Sequence, residues 1–99
     1  MTALILAAKN GHNQIVKTLI QYGADVNFTD PLSQTSAVFE AANSGHADVV
    51  QTLIDANATV NMLNLNGKSA LITASQKGYH DVVATLIGGG ADIEQEFDD

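Results

Sequence analysis

Paired aliphatic residues recur along this chain at one fixed spacing. Ile15-Val16 with Leu19-Ile20, Val49-Val50 with Leu53-Ile54, and Val82-Val83 with Leu86-Ile87 each place apolar side chains at i, i+1, i+4 and i+5. On a helix that spacing gathers them into one broad stripe. A short segment rich in small residues (Ala7-Ala8, Ala41-Ala42, Ala74-Ser75) precedes each stripe and ends at Gly11, Gly45 or Gly78. Glycine at such a point reverses the chain through the left-handed region at little steric cost. The pattern therefore predicts three helix pairs. Gly11 to Gly45 spans 34 residues and Gly45 to Gly78 spans 33. A period near 33 marks a solenoid, in which units too small to fold alone share a core with their neighbours.

The ends of these helices are also written in the chain. Thr2, Ser36 and Ser69 stand in register before the first helix of each pair, where a hydroxyl can accept a bond from an unpaired amide of the first turn. The first of these helices is expected over residues 3–10. The second helices are expected to end at Gly23, Asn57 and Gly90, residue types that tolerate positive φ. The run Gly88-Gly89-Gly90 predicts an early, frayed end for the last one. Extended pieces follow at Ala24-Asp25-Val26-Asn27, Ala58-Thr59-Val60-Asn61 and Ala91-Asp92-Ile93-Glu94. Linkers over 28–35 and 62–68 carry the turn signals Asp30-Pro31 and Asn66-Gly67 and predict hairpin-like fingers. The whole is one all-α domain over 1–99, with repeats near 1–29, 30–63 and 64–96 and an acidic tail at 97–99.

Composition narrows the function classes. With 45% hydrophobic residues and a single proline the chain is globular, and its apolar runs fall short of a membrane span. Lys9 follows the first apolar run instead of preceding it, so the N-terminus does not read as a secretion signal. Absence of cysteine excludes disulfide and thiolate chemistry and leaves the redox compartment open. Four lysines against eleven acidic residues give a net charge of −7, which repels phosphate backbones and argues against nucleic acid as a partner. Five of the last eight residues are acidic, which reads as a solvated tail.

The recurring text Gly-His-x-x-x-Val-Val-x-x-Leu-Ile, followed by Gly-Ala-Asp-Val-Asn, resembles the ankyrin repeat. Gly11-His12, Ile15-Val16, Leu19-Ile20 and Gly23-Ala24-Asp25-Val26-Asn27 carry the match in the first unit. Gly45-His46, Val49-Val50, Leu53-Ile54, Val60-Asn61, Gly67 and Gly90-Ala91-Asp92 carry it later. The resemblance implies an ankyrin-repeat solenoid of antiparallel helix pairs joined by short β-hairpin-like fingers that project at roughly right angles. It further implies a non-catalytic protein–protein interaction module, acting inside the cell in cytoplasm or nucleus. Two departures stand out. The family's Thr-Pro-Leu-His opening appears here as Thr2-Ala3-Leu4-Ile5, Ser36-Ala37-Val38-Phe39 and Ser69-Ala70-Leu71-Ile72, so Ile5, Phe39 and Ile72 replace a hydrogen-bonding histidine. Phe39 is accordingly expected to lie buried between units. The terminal repeats also look like interior ones, with Leu4, Ile15 and Leu19 at one end and Val82, Val83 and Leu86 at the other. That predicts either a piece of a longer array or a chain that forms homo-oligomers through its terminal repeats.

Catalytic and metal chemistry find no constellation. His12 and His46 are one repeat apart and His80 is one position out of register, so three nitrogens cannot converge on an ion about 2.0–2.1 Å away. Serines fall at caps and turns, and no phosphate-cradling loop, His-Glu metal motif or nucleophile elbow occurs. Glu40 is the one acid in a first helix and lacks a second carboxylate at helical spacing. No cofactor or metal is expected, and no enzyme activity.

The fingers are the anomaly. They offer Phe28, Leu32, Met62, Leu63 and Leu65 where polar tips are usual in the resembling family. Phe28 and Met62 are expected to pack beside a neighbouring finger, whereas Leu32, Leu63 and Leu65 are candidates for a partner-binding patch. On the adjoining concave face the first helices would present Lys9, Asn10, Asn43, Ser44, Gln76 and Lys77. Asn27 and Asn61 each follow a leucine by eight residues, a pattern resembling asparagine-hydroxylation sites in ankyrin proteins, although a turn role suits them better.

Overall fold

One hydroxyl side chain starts the first helix of every pair. In the computed structural model, which describes residues 1–96, the amides of Ile5, Phe39 and Ile72 donate to the hydroxyl oxygens of Thr2, Ser36 and Ser69 at 3.2, 3.4 and 3.2 Å. Each bond satisfies an amide that the helix itself leaves unpaired. The helices that follow are α1 (Ala3–Lys9), α2 (Asn13–Gln21), α3 (Ala37–Asn43), α4 (Ala47–Asp55), α5 (Ala70–Lys77) and α6 (His80–Gly88). Helix α1 stops one residue sooner than expected, with Asn10 as its cap. Helix α6 runs through Gly88 and matches α2 and α4 at nine residues, so its end is neither early nor frayed. Gly89 serves the packing instead: a Cβ there would come within 2.5 Å of Ile54 Cδ1 in the repeat before it.

Within each pair α1 packs on α2, α3 on α4 and α5 on α6. Between pairs, α3 touches α1 and α5, and α4 touches α2 and α6. The result is two helical rows, first helices in one and second helices in the other, in a body 38 × 27 × 20 Å. The core runs along the seam between rows and is made of the predicted residues: Val16, Val49, Val50, Leu53, Val82 and Leu86 are all buried. Small residues Ala7, Ala8, Ala41, Ala42 and Ala74 let the helices approach. Phe39 is buried in α3, the helix between α1 and α5, as its place in the repeat predicts.

The connections differ from expectation in two ways. Residues 24–27 and 91–94 are turns, because the Asp25 and Asp92 carboxylates each accept the amide two residues on (Asn27 and Glu94, both 3.0 Å). Thr59 stands in that position in the middle repeat, and there no such turn forms. The fingers contain no strand among the described residues. Each reverses as a hairpin does and is closed across its mouth by a backbone bond: the Asp30 amide donates to the Thr35 carbonyl at 2.9 Å, and the Asn64 amide to that of Lys68 at 2.9 Å. Of the expected tail, residues 97–99 lie outside the described residues.

Candidate interaction surface

The predicted binding residues form two groups at opposite ends of the first helices. Lys9-Asn10, Asn43-Ser44 and Gln76-Lys77 mark the C-terminal ends of α1, α3 and α5, one pair per repeat. Leu32, Leu63 and Leu65 sit on the two fingers, which lead into the N-terminal ends of α3 and α5. A seven-residue helix at 1.5 Å per residue separates the groups by about 10 Å. They are not one contiguous patch.

The polar group is a ridge held together by bonds between repeats. Lys77 Nζ donates to the Asn43 carbonyl at 2.9 Å. His46 Nε2 lies 3.1 Å from the Lys9 carbonyl, and because a carbonyl only accepts, this ring carries its proton on Nε2. The His46 ring can reach that carbonyl because Gly11 has no side chain: a Cβ there would stand 2.7 Å from the imidazole. Tyr79 lies over Gly45 in the same way, 3.3 Å from where a Cβ would be. Gly11 and Gly45 are thus each a seat for the aromatic residue of the following repeat. His80, one place out of register, leaves that role to Tyr79. Lys9, Asn10, Gln76 and Lys77 are exposed, and Asn43 and Ser44 are half-buried.

The finger group is apolar and wet. Leu32 is 89% exposed, Leu65 62% and Leu63 48%, whereas Met62 is half-buried. Met62 and Leu63 join Thr35 and Phe39 in lining a shallow notch between the two fingers. Phe28, expected beside a neighbouring finger, is 39% exposed. It lines an apolar hollow with Leu4, Leu19 and Ala24 on the first repeat.

A buried polar chain anchors the first finger to α3. Thr35 Oγ1 donates to Glu40 Oε2 at 2.8 Å, and Ser33 Oγ lies 2.8 Å from Thr35 Oγ1 and 3.0 Å from Asp30 Oδ2. Glu40 therefore has a second carboxylate within two hydroxyls, supplied by the finger and invisible to a search at helical spacing. The amide and hydroxyl of Ser33 beside Asp30 lower its pKa below the ordinary value of 3.8, against a smaller opposing effect of burial and with help from the Met1 amino group 3.4 Å away. A lowered native value means stability present above the ordinary carboxylate range and lost as pH falls through it. The chain holds a finger in place.

Asn27 lies in a turn as expected, and the side chains of Asn27 and Asn61 also bridge repeats. Asn27 Oδ1 accepts the Thr59 amide at 2.7 Å; Asn61 Oδ1 accepts the Asp92 amide at 2.8 Å, and Asn61 Nδ2 donates to the Gly90 carbonyl at 3.3 Å. Sequence reasoning also passed over Leu6, which α1 leaves exposed in the place where α3 has Glu40 and α5 has Thr73. The signal was available, as Leu6 breaks a position that is polar in the other two repeats. Among the described residues no cluster of three or more histidines or carboxylates could hold a metal ion, and no helix is long and apolar enough to cross a membrane.

Comparison with known proteins places this geometry. The family model described as ankyrin repeats (3 copies) matches residues 4–96. No curated protein sequence matches the chain. Among solved structures, the human ASB11 ankyrin repeat domain superimposes with a TM-score of 0.90 at 30% identity, over 97% of this chain and 43% of that one. The chain thus spans less than half of that domain. With 449 matching chains of known structure, the likeness identifies a scaffold shared by many proteins. Helix pairs in register, glycine seats and a family match over nearly all of its length show that this chain belongs to the ankyrin-repeat family.

Proposed function

We propose that the protein is a non-catalytic recognition module that holds a protein partner against its finger tips and the ridge at the ends of the first helices. The observation that carries this reading is the exposure of Leu32, Leu63 and Leu65 on adjacent fingers, while the core beneath them is closed. Leucines this exposed on loops contribute little to the fold and offer apolar area to a partner. The ridge adds Lys9 and Lys77, half of the lysines in the chain. A matching partner places apolar side chains on the fingers and a carboxylate about 10 Å away on the ridge. The proposed setting is intracellular, cytoplasmic or nuclear, as the family suggests.

The test is affinity capture with the whole chain, its Leu63→Ser/Leu65→Ser variant and a Tyr22→Ser control, Tyr22 being the exposed cap of α2. Each leucine fully buried at an interface stabilises it by about 1.5–3 kcal/mol. A partner held by wild type and the control should therefore bind the double variant more than tenfold more weakly, with the helical signal unchanged. Equal binding by all three proteins refutes the finger surface. A double variant that unfolds at much lower denaturant shows that the leucines belong to the fold.

A second reading, association of copies through the terminal repeats, is favoured by Ile15. It is 51% exposed, while its counterparts Val49 and Val82 are 0% and 1% exposed.

A further inference from the structure

Two asparagines of the chain, Asn10 and Asn66, stand directly before a glycine, Gly11 and Gly67. That dipeptide has a chemistry of its own. The backbone nitrogen after an asparagine lies within reach of the side-chain carbonyl carbon, Cγ, and its attack there closes a five-membered ring. A side chain on the following residue would crowd the approach, and glycine has none. Glycine also visits the backbone angles that bring the two atoms together.

The two dipeptides sit in unlike places. Asn10 caps α1, and Gly11 opens the turn into α2. The Asn10 side-chain nitrogen, which would have to leave, donates to the Leu6 carbonyl at 3.0 Å. The Gly11 amide donates to the Ala8 carbonyl at 3.2 Å, and the His12 amide beyond it to the carbonyl of buried Ala7 at 3.0 Å. The His46 ring of the next repeat lies over Gly11. Freeing the Gly11 nitrogen therefore loosens α1 from α2 and the first repeat from the second.

Asn66 stands at the tip of the second finger. It is exposed, and its side chain makes no hydrogen bond among the described residues. The bonds that close the tip all run to Asn64. Its carbonyl accepts the Gly67 amide at 3.0 Å, and its side-chain oxygen accepts the amides of Asn66 and Lys68, each at 3.0 Å. Nothing lies within 4 Å of where a Cβ of Gly67 would be, so the tip opens without disturbing a helix. Local opening costs least at such exposed tips and most within packed elements.

We propose that Asn66 is a site of spontaneous deamidation, and that the fold shields Asn10 from the same reaction. When the tip opens, the Gly67 nitrogen gives its proton to solvent and attacks Asn66 Cγ. The N–Cγ bond forms, the Cγ–Nδ2 bond breaks, and ammonia leaves with a proton taken from solvent. Water then opens the cyclic imide. Addition at Cγ yields aspartate; addition at the main-chain carbonyl carbon yields isoaspartate, whose backbone runs through the former side chain. Either product adds a carboxylate and makes the chain one unit more negative than its formal −7. Isoaspartate also lengthens the main chain at the tip and displaces Gly67 from its bond to Asn64. No enzyme and no partner takes part, so the change is independent of the recognition reading, although it falls beside Leu65 on the same finger.

The experiment ages the folded chain and the chain unfolded in guanidinium chloride side by side at mildly alkaline pH, where the attacking nitrogen loses its proton more readily. Trypsin separates the dipeptides into peptides 10–17 and 18–68, and mass spectrometry with fragmentation locates each exchange of –NH2 for –OH. In the folded chain Asn66 is expected to react about tenfold faster than Asn10 or more, and in the unfolded chain the two rates should converge. Asn66→Gln, which would have to close a larger ring, should abolish the exchange in the finger and leave the helical signal unchanged. An exchange that persists in the finger of this variant belongs to another asparagine and overturns the assignment. Equal rates at Asn10 and Asn66 in the folded chain overturn it too, as does a folded chain left unchanged at Asn66. A difference that survives unfolding shows that neighbouring residues select the site, and overturns the shielding of Asn10 by the fold.

Discussion

Thr73 and Thr35 are both buried threonines, and their hydroxyls meet opposite circumstances. Thr35 Oγ1 donates to Glu40, whereas Thr73 Oγ1 is buried with no hydrogen-bond partner among the described residues. Valine has the shape of threonine without the polar atom. Thr73→Val is therefore expected to leave stability unchanged or raise it by up to about 1–2 kcal/mol, since it removes an unsatisfied group. Thr35→Val should cost about 1–3 kcal/mol, because it leaves the Glu40 carboxylate without its donor. Urea titration of the two variants measures the contrast, and equal midpoints would contradict these bonding assignments. The sequence did not distinguish these threonines, since a polar residue in a loop and another in a helix both read as surface. Burial came from how one finger folds against α3, which depends on Ser33 and Asp30 as much as on Thr35.

At the scale of the helix, one position has two environments. Leu19, Leu53 and Leu86 are identical in sequence context, yet Leu53 and Leu86 are fully buried and Leu19 is half-buried on the open side of the first repeat. Leu53→Ala in α4 is expected to cost about 2–5 kcal/mol, the range for leucine truncation in a packed core. Leu19→Ala in α2 should cost clearly less, and Gln51→Ala, on the exposed side of α4, should stay within about 0.5 kcal/mol. Equal losses at Leu53 and Gln51 would refute the registered core. Helix existence, caps and stripe were legible because periodicity and capping chemistry are local. The aspartate turns at Asp25 and Asp92 were missed because one carboxylate two residues before an amide outweighs the extended habit of Val26 and Ile93. The bare side of the first repeat was legible as an oddity of composition, but its degree of exposure depends on what stands beside it in space.

Across the whole molecule, coupling runs from neighbour to neighbour. Helices of the first and third repeats meet mainly through the second, so the middle repeat is held from both sides and the outer ones from one. Hydrogen exchange should therefore be slowest in α4 and faster in α2 and α6, even though the three helices have equal length. Uniform protection across the three would show a single cooperative block instead. The stack of helix pairs was legible from the repeat period; the partner was not, because a shared scaffold leaves specificity to exposed residues that no periodic rule constrains. The side-chain bonds between repeats also have a mechanical consequence. The first seam is tied by Asn27 to Thr59, His46 to Lys9 and Thr52 to Asn13, and the second by Asn61 to Asp92 and Gly90 and by Lys77 to Asn43. Stretched from its two ends, a chain joined in this way carries tension through one seam after the other in series. It should lengthen in discrete steps, shedding one terminal repeat before the remaining pair gives way.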